Sequence, residues 1–426
     1  MSKLTLTAIA TITALTFSAG AQAEKIAIIG GTVHTMTEQG AIENATVLIE
    51  DGKISKVISQ EVSTDASYRV IDAKGKVVTP GFIGAFTSLG LVEVSSWAGT
   101  NDASVAKSKL HAALDASLAV NPDSTLINIS RIEGITSAAT SVGNTDSIYK
   151  GRGAVITLGD DADPVMKKRA FMSIDLSNSG ADVSGGSRAA LWVDFRNALN
   201  EAIYAQSINF TPQTEWHGTL SKANVQALIP VVKGEMPLLV QIHRASDIRR
   251  IIKMTDNFKR LNVTLVGASE AWRVADEIAA AGMSVILNPE SNLPYTFEQN
   301  GATLANAARL NDAGVNIAIG MNTHNIRLAP QHAGNAVANG LPWQAGLASL
   351  TTAPAKIYGI DKQVGSIKAG MQADVVIWSG DPLEVMHAPT NVIINGEEVP
   401  LESRQTKLRD RYLKIDNEKP QQYTRP

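Results

Sequence analysis

Seven histidines and no cysteine bound the chemistry open to this chain. Without thiolates, a metal would have to rest on His, Asp, Glu or a modified Lys, and no disulfide can staple the fold. His243 ends the apolar run "PLLVQIH" just before a polar turn. From such a position a strand delivers a side chain into a pocket, which makes His243 a candidate for acid–base work and the only candidate for a metal ligand. The stretch "MNTHNIRL" gathers Asn322, His324, Asn325 and Arg327 behind another apolar run. His324 is the second acid–base candidate and Asn325 a candidate pocket residue. Arg327 offers the bidentate geometry that receives a carboxylate, unless this group only caps the helix that follows. Glu270 and Arg273, one helical turn apart in "GASEAWRVADE", read either as a substrate clamp or as a surface ion pair. Trp97, Trp216 and Trp272 read as packing, and His34, His111, His332 and His387 have no strand-end context. No nucleophile elbow, phosphate loop or H-E-x-x-H motif is present.

The elements that must hold these residues come in two textures. At the start, "KIAIIGGTVHTM", "ATVLIEDGKISKVIS" and "YRVIDAKGKVVTPG" are β-branched runs parted by Gly- and Asp-containing turns, with Asp51-Gly52 at a hairpin position; "ADVVIWSGDP" and "NVIINGEEVP", with Asn395-Gly396, repeat that texture at the far end. The two ends are expected to build one small β-domain. Between them, apolar strands alternate with amphipathic segments. "MPLLVQIHRASDIRRIIKMTDNF" predicts a strand and then a helix capped by Ser246. "NVTLVGASEAWRVADEIAAAG" predicts a strand, Ser269 as N-cap, a helix and a stop at Gly282. This rhythm favours a (β/α)8 barrel of the TIM type over an open doubly wound sheet. In the poorly patterned middle, "GITSAATSVG" and "GAVITLGDD" read as strands, "SNSGADVSGGS" as a mobile loop, and "GGSRAALWVDFRNALNEAIYAQ" as an amphipathic helix.

A formal net charge of −3 and a pI near 6.2 supply no basic surface for a nucleic-acid backbone or an anionic membrane. The opening "MSKLTLTAIATITALTFSAGAQAEK" sets Lys3 before an apolar run too short to span a bilayer and ends in Ala21-Gln22-Ala23. That pattern predicts a cleaved signal peptide, export to the periplasm and maturation at Glu24.

Three stretches together, "VVTPGFIGAFTSLG", "GLPWQAGLASLTTAPAKIYGI" and "VGSIKAGMQADVVIWSGDPL", resemble the amidohydrolase superfamily, in particular its imidazolonepropionase-like and dihydroorotase-like branches. The resemblance implies a distorted barrel flanked by a β-sandwich built from both chain ends. It also implies one or two divalent, zinc-like metals held by a His-x-His pair on the first strand, single histidines on the fifth and sixth, and an aspartate on the eighth that takes the proton of the attacking water. Matched residue by residue, Phe86 and Ser88 stand in the His-x-His places. Gly84 stands where an aspartate is common, His243 matches the strand-five ligand, Gly267 and Ala268 end strand six, and Asn322 takes the place of the catalytic aspartate. A phenyl ring has no lone pair and a lone hydroxyl is a feeble zinc ligand, so most of the metal-ligand positions are substituted. Phe86 and Ser88 would then line the substrate pocket.

These readings divide the chain into a signal peptide at 1–23, a β-domain at 24–80 and 356–426, and a barrel at 81–355. Two functions follow. One is hydrolysis of non-peptide C–N bonds in cyclic amides or N-acyl and dipeptide-like molecules at a degenerate or redesigned metal site. The other is a catalytically silent barrel that binds a small ligand or pairs, as a homo- or hetero-oligomer, with an active relative.

Overall fold

In the computed structural model, which describes residues 24–291, 293–320 and 323–413, the two tight turns expected from the sequence are formed. Asp51 and Gly52 adopt φ of 49° and 74°, and Asn395 and Gly396 adopt 53° and 81°, the left-handed pairs that a two-residue hairpin requires. The hairpin tips meet. A side chain on Gly396 would sit 2.5 Å from the Cα of Gly52, so segments from opposite ends of the chain press together at their turns. The expected signal peptide and Asn322 lie outside the described residues.

In chain order the strands of the two large sheets are β1 (Lys25–His34), β2 (Ala41–Glu50), β3 (Lys53–Ile58), β4 (Tyr68–Asp72) and β5 (Val77–Pro80), followed by β6 (Phe82–Thr87), β7 (Ile135–Thr140), β8 (Tyr149–Thr157), β9 (Val165–Asp175), β10 (Leu238–Ile242), β11 (Val263–Gly267), β12 (Ser284–Leu287) and β13 (Ile317–Ile319). The set ends with β14 (Val375–Trp378), β15 (Pro389–Ile394) and β16 (Glu397–Val399). The first five and last three form one eight-stranded sheet in the order β16-β15-β14-β5-β1-β2-β3, with β4 also on β1. A register shift near Gly31 lets β1 pair with β4 along its first half and with β5 along its second. Both ends of the chain therefore share one sheet and one apolar cluster, which includes Ile26, Val47, Ile71, Ile377 and Ile393.

The middle strands form a second eight-stranded sheet in the order β13-β12-β11-β10-β9-β8-β7-β6. Its edges approach each other, since a Cβ on Gly320 would lie 2.8 Å from the backbone nitrogen of Phe86 and Ser88 N–H donates to the Thr323 carbonyl at 2.9 Å. The result is a nearly closed barrel. It departs from a uniform (β/α)8 pattern at one stave, because β8 runs antiparallel to both β7 and β9. The cause is the length of chain available: residues 141–148 and 158–164 are too few for the helical crossover that a parallel connection demands.

Helices α1 (Thr125–Arg131), α2 (Asn178–Val183), α3 (Arg188–Ser207), α4 (Lys222–Val232), α5 (Ala245–Asn257), α6 (Ala275–Ala280), α7 (Asn306–Asp312), α8 (Ala329–Ala338), α9 (Trp343–Ala348) and α10 (Thr352–Tyr358) follow the strands. The serine- and glycine-rich stretch expected as a mobile loop contains α2, whose first turn is capped by the Ser177 hydroxyl accepting from Ser179 N–H. Ser246 lies inside α5 rather than at its cap. Alternation along the strands separates two cores. Leu238, Val240 and Ile242 face the helices, whereas Leu239 faces the lumen with Ile83, Ala139, Phe171, Val266, Ile286 and Ala318. Tyr358 of α10 belongs to the lumen cluster, its ring 5.2 Å from that of Phe171 and its hydroxyl donating to the Ala85 carbonyl.

Trp378 joins the terminal sheet to the barrel. It is buried, stacks on Phe82 at 5.0 Å and donates its indole N–H to Thr79 Oγ1 at 2.9 Å. Trp378→Ala leaves a large void and removes one of the two hydrogen bonds of Thr79 Oγ1, which still donates to the Pro80 carbonyl at 2.9 Å, and should destabilise the protein by about 3 to 5 kcal/mol. A urea titration should show the midpoint fall with little change of slope; an unmoved midpoint would contradict this packing.

Candidate functional site at the barrel mouth

The strands that fill the lumen with apolar side chains turn polar at their carboxyl ends. On β9, Phe171 lies in the lumen cluster, and Ser173 and Asp175 follow at steps of two. On β10, Leu239 is followed in the same way by Gln241 and then His243, and Asp175 is the cross-strand partner of Gln241. The antiparallel β8 starts at this same end, so it contributes Lys150 from its first turn of chain. His243, Asp175 and Lys150 therefore share the mouth. Sequence reading found the first and missed the other two. Lys150 in "YKGRGAVIT" and Asp175 in "FMSID" are charges embedded in apolar runs, a signal that was available but lay in the segment whose strand order was unread.

His243 owes its position to a neighbour with no side chain. Gly267, at φ 81°, ends β11 beside it, and a Cβ there would lie 2.5 Å from the imidazole Cε1. The place where the family resemblance expects a second histidine is thus next to space that the His243 ring itself fills. His243 Nδ1 is 3.0 Å from Ser269 Oγ and 3.4 Å from Gln299 Nε2, and Gln299 also donates to Ser269 Oγ at 3.2 Å. Ser269, expected as a helix cap, instead orients the imidazole and leaves Nε2 for a ligand. Burial pushes His243 below the ordinary histidine pKa; Asp175 pulls it part of the way back and Arg188 opposes that. The ring is neutral at pH 7.

Asp175 is buried, and its Oδ1 accepts from Ser177 N–H at 2.9 Å and Ser177 Oγ at 2.5 Å. Lys150 is also buried, and its ammonium donates to the Ser147 carbonyl at 3.1 Å. Burial lowers the Lys150 pKa while Asp175 and Asp146 raise it. A second polar layer stiffens the rim. Arg188 donates to Asp247 Oδ2 at 2.9 Å, Asn178 Oδ1 at 2.6 Å and Glu298 Oε2 at 2.8 Å, and Glu298 also accepts from Asn178 N–H at 2.9 Å. Burial raises the Glu298 pKa, and the Asn178 N–H and Arg188 oppose it. Four separate segments are tied together next to Gln299.

The other expected site residues fall in several places. Phe86 is buried in the lumen cluster, and Ser88 is buried with its backbone tied to Thr323. Glu270 is buried too. One of its oxygens accepts from Ala245 N–H at 3.0 Å and the other from Gly301 N–H at 2.9 Å, so it caps the first turn of α5 and anchors a loop. Arg273 reaches it at 3.5 Å from an exposed position. Arg327 is exposed beside Glu133, whose carboxyl burial raises and Arg327 lowers. His324 is half-buried, and the Asn325 side-chain oxygen is buried without a hydrogen-bond partner among the described residues. Among the described residues no three His, Asp or Glu side chains converge as a metal cluster.

Comparison with known proteins gives the same architecture. The amidohydrolase family model matches residues 206–399. Amidohydrolase tasK of Hapsidospora irregularis is 25% identical over 400 residues, a match covering 82% of this chain and 39% of that protein, so the chain spans well under half of that relative's length. The crystal structure of an amidohydrolase from Thermotoga maritima MSB8 superposes with a TM-score of 0.78 at 24% identity, covering 88% of this chain and 99% of that one. A prolidase complexed with N-methylphosphonate-L-proline superposes with a TM-score of 0.54 at 18% identity, over 88% and 99% of the two chains. The barrel shared with these structures and the match of residues 206–399 to the family model make the chain similar to the amidohydrolase superfamily in fold and over its second half.

Proposed function

We propose that this chain is an exported, periplasmic member of the superfamily that hydrolyses C–N bonds of small cyclic amides or N-acyl and dipeptide-like molecules, using side chains at the barrel mouth in place of the family's metal cage. The observation that carries this reading is the orientation of His243: held through Nδ1 by Ser269 and Gln299, kept neutral by burial, with Asp175 near enough to stabilise a positive charge on the ring. Such an imidazole suits proton transfer to and from a water or a leaving nitrogen, and a neighbouring ammonium such as Lys150 can favour a developing oxyanion. The prolidase match lends support to dipeptide-like substrates. We also read the shared terminal sheet, whose strands contribute to one apolar cluster, as the β-sandwich of the family.

The donor set does not fit a divalent ion. Phe86 and Ser88 replace one pair of ligands, Gly267 has no room for another side chain, and Asp175 already accepts two hydrogen bonds at one oxygen. His243 and a partly engaged carboxylate fall short of the three protein ligands typical of catalytic zinc. The second reading, a silent barrel that binds its ligand or partners an active relative, is favoured by Phe86, which closes the lumen with apolar packing.

Protein purified without chelator should contain well below one equivalent of zinc, manganese or nickel, and hydrolysis of a panel of dipeptides, N-acyl amino acids and cyclic amides should survive EDTA. His243→Ala and Asp175→Asn should each lower kcat/KM by about a hundredfold or more. Loss of turnover on chelation would restore a metal mechanism, and saturable ligand binding without any turnover would favour the silent barrel.

The state of His243 can be read without a substrate. Its folded pKa lies below the unfolded value of 6.5, so its contribution to stability is present above pH 6.5 and is lost as pH falls toward the folded value. Between those limits the wild type should lose more stability on acidification than His243→Gln, measured by urea titration at successive pH values. Equal pH dependence would show an imidazole as free to protonate as in the unfolded chain. Export makes its own prediction: protein recovered from the periplasm should begin at Glu24, and an N-terminus at Met1 would refute signal cleavage.

A further inference from the structure

The backbone that leaves β11 is held in a shape it would not take alone. Gly267 and Ala268 follow each other at φ of 81° and 42°, and alanine rarely enters the left-handed region because its Cβ crowds the next carbonyl oxygen. Such a turn persists only where surrounding contacts impose it. Ala268 N–H donates to the Ile242 carbonyl at 2.8 Å, and the Ala268 carbonyl accepts from Asn306 Nδ2 at 3.1 Å and from Ala271 N–H at 2.9 Å. The two residues that this turn presents are Ser269, which meets the His243 ring, and Glu270.

Glu270 makes three bonds that reach two other segments. Its own N–H donates to the His243 carbonyl at 3.0 Å. One carboxylate oxygen accepts from Ala245 N–H at 3.0 Å and the other from Gly301 N–H at 2.9 Å. The first two bonds bracket Arg244 and fix the rigid peptide planes on either side of it, so the backbone that aims the His243 side chain is set from outside its own strand. The third pins the chain two residues beyond Gln299. Ser269 immediately precedes Glu270, with Cα atoms about 3.8 Å apart. The imidazole, the hydroxyl and the amide that meet at the mouth therefore each stand within two residues of a bond made by Glu270. Its side chain is only 9% exposed, so these bonds form in surroundings of low dielectric, where they are strong and directional.

We propose that Glu270 is a positioning residue for His243: by clasping the ends of β10 and β11 to the loop after β12, it sets the distances at which Ser269 and Gln299 meet the ring. Its consequence for catalysis rests on the reading of His243 as the acid–base group; the clasp itself does not.

Two variants separate this role from plain support of the fold. Glu270→Gln keeps one acceptor and turns an NH2 group toward the other N–H. Glu201→Gln does the same to a carboxylate that accepts from Thr219 N–H at 2.7 Å and Leu220 N–H at 3.1 Å, about 20 Å along α3 from Arg188. In full-length protein labelled with 15N-histidine, the His243 ring signals, identified by their loss in His243→Gln, should report a single tautomer in the wild type and in Glu201→Gln, and a mixture in Glu270→Gln. On the dipeptide, N-acyl amino acid or cyclic amide that the wild type hydrolyses fastest, Glu270→Gln should lower kcat about tenfold or more with KM changed less than about threefold, and Glu201→Gln should change neither. A folded Glu270→Gln protein with wild-type ring signals overturns the proposal, and so does an equal loss of kcat in Glu201→Gln. If the wild type hydrolyses nothing in the panel, the hydrolytic reading fails separately and the ring signals decide the role of Glu270. Should Glu270→Gln not fold, hydrogen exchange of the wild type decides: the Ala245 and Gly301 amides should exchange about a hundredfold or more slowly than in an unstructured peptide, and free exchange at Gly301 would overturn the clasp.

Discussion

The imidazole of His243 occupies the volume that any side chain at position 267 would need, and the arrangement of the mouth follows from that exclusion. A family barrel distributes its ligands over several staves so that donors face one another across the opening. Here the fifth stave's ring lies against the end of the sixth, where a left-handed glycine makes room for it. The mouth is arranged around one imidazole, and the groups that touch this ring are amide and hydroxyl. In a typical metal site the outer ring nitrogen donates to a carboxylate or carbonyl, which makes the inner nitrogen more basic. The Ser269 and Gln299 contacts of His243 provide no such negative partner at Nδ1.

The rim is made rigid by charge rather than by packing. Arg188 forks among Asp247, Asn178 and Glu298 in partly buried surroundings, and removing any single member would strand a partner away from water. Such networks are weak evidence for net stability but good evidence for a fixed geometry, because each bond is directional and each loss is expensive. The network adjoins Gln299 in sequence through Glu298, so the loop after β12 is held at the distance where Gln299 reaches both Ser269 and His243. Rigid placement of an acid–base group is what proton transfer without a metal would require.

What could be read from the sequence was whatever local chemistry decides. Asp51-Gly52 and Asn395-Gly396 specify their turns through backbone sterics alone, and the β-branched runs beside them have no better fate than strands. His243 was legible because a strand end followed by a polar turn is a local pattern. Ser246 and Ser269 show where this logic ends. Both look like caps, yet the first-turn N–H of Ala245 is satisfied by the Glu270 carboxylate from a distant turn, and the Ser269 hydroxyl pairs with the histidine rather than with a helix end. Asp175 and Lys150 escaped notice for a related reason. Their shared location depends on the reversal of β8, and that reversal is written only in the shortness of the two flanking connections. A polar group's partner is chosen by the tertiary fold, and sequence spacing carries no information about it when the partner lies on another stave.

Phe86 bears on why a barrel would change in this way. Removing two histidines from a first strand without compensation would leave a hole lined by carbonyls and by the remaining donors, and holes in a packed lumen are destabilising in proportion to their volume. Phe86 extends the apolar cluster of Ile83, Val266 and Ile286 up to the mouth, and Tyr358 seals part of the same cluster through the Ala85 carbonyl. The lumen is therefore continuous from α10 to Phe86, and the polar layer begins only above it. That ordering has a consequence for chemistry. Asp175, Lys150 and His243 stand over an apolar floor, where charge is poorly screened and the Asp175 carboxylate raises the pKa of both Lys150 and His243 against the lowering that burial imposes. These surroundings strengthen the side chains at the mouth as acids, bases and dipoles, provided that they keep their geometry.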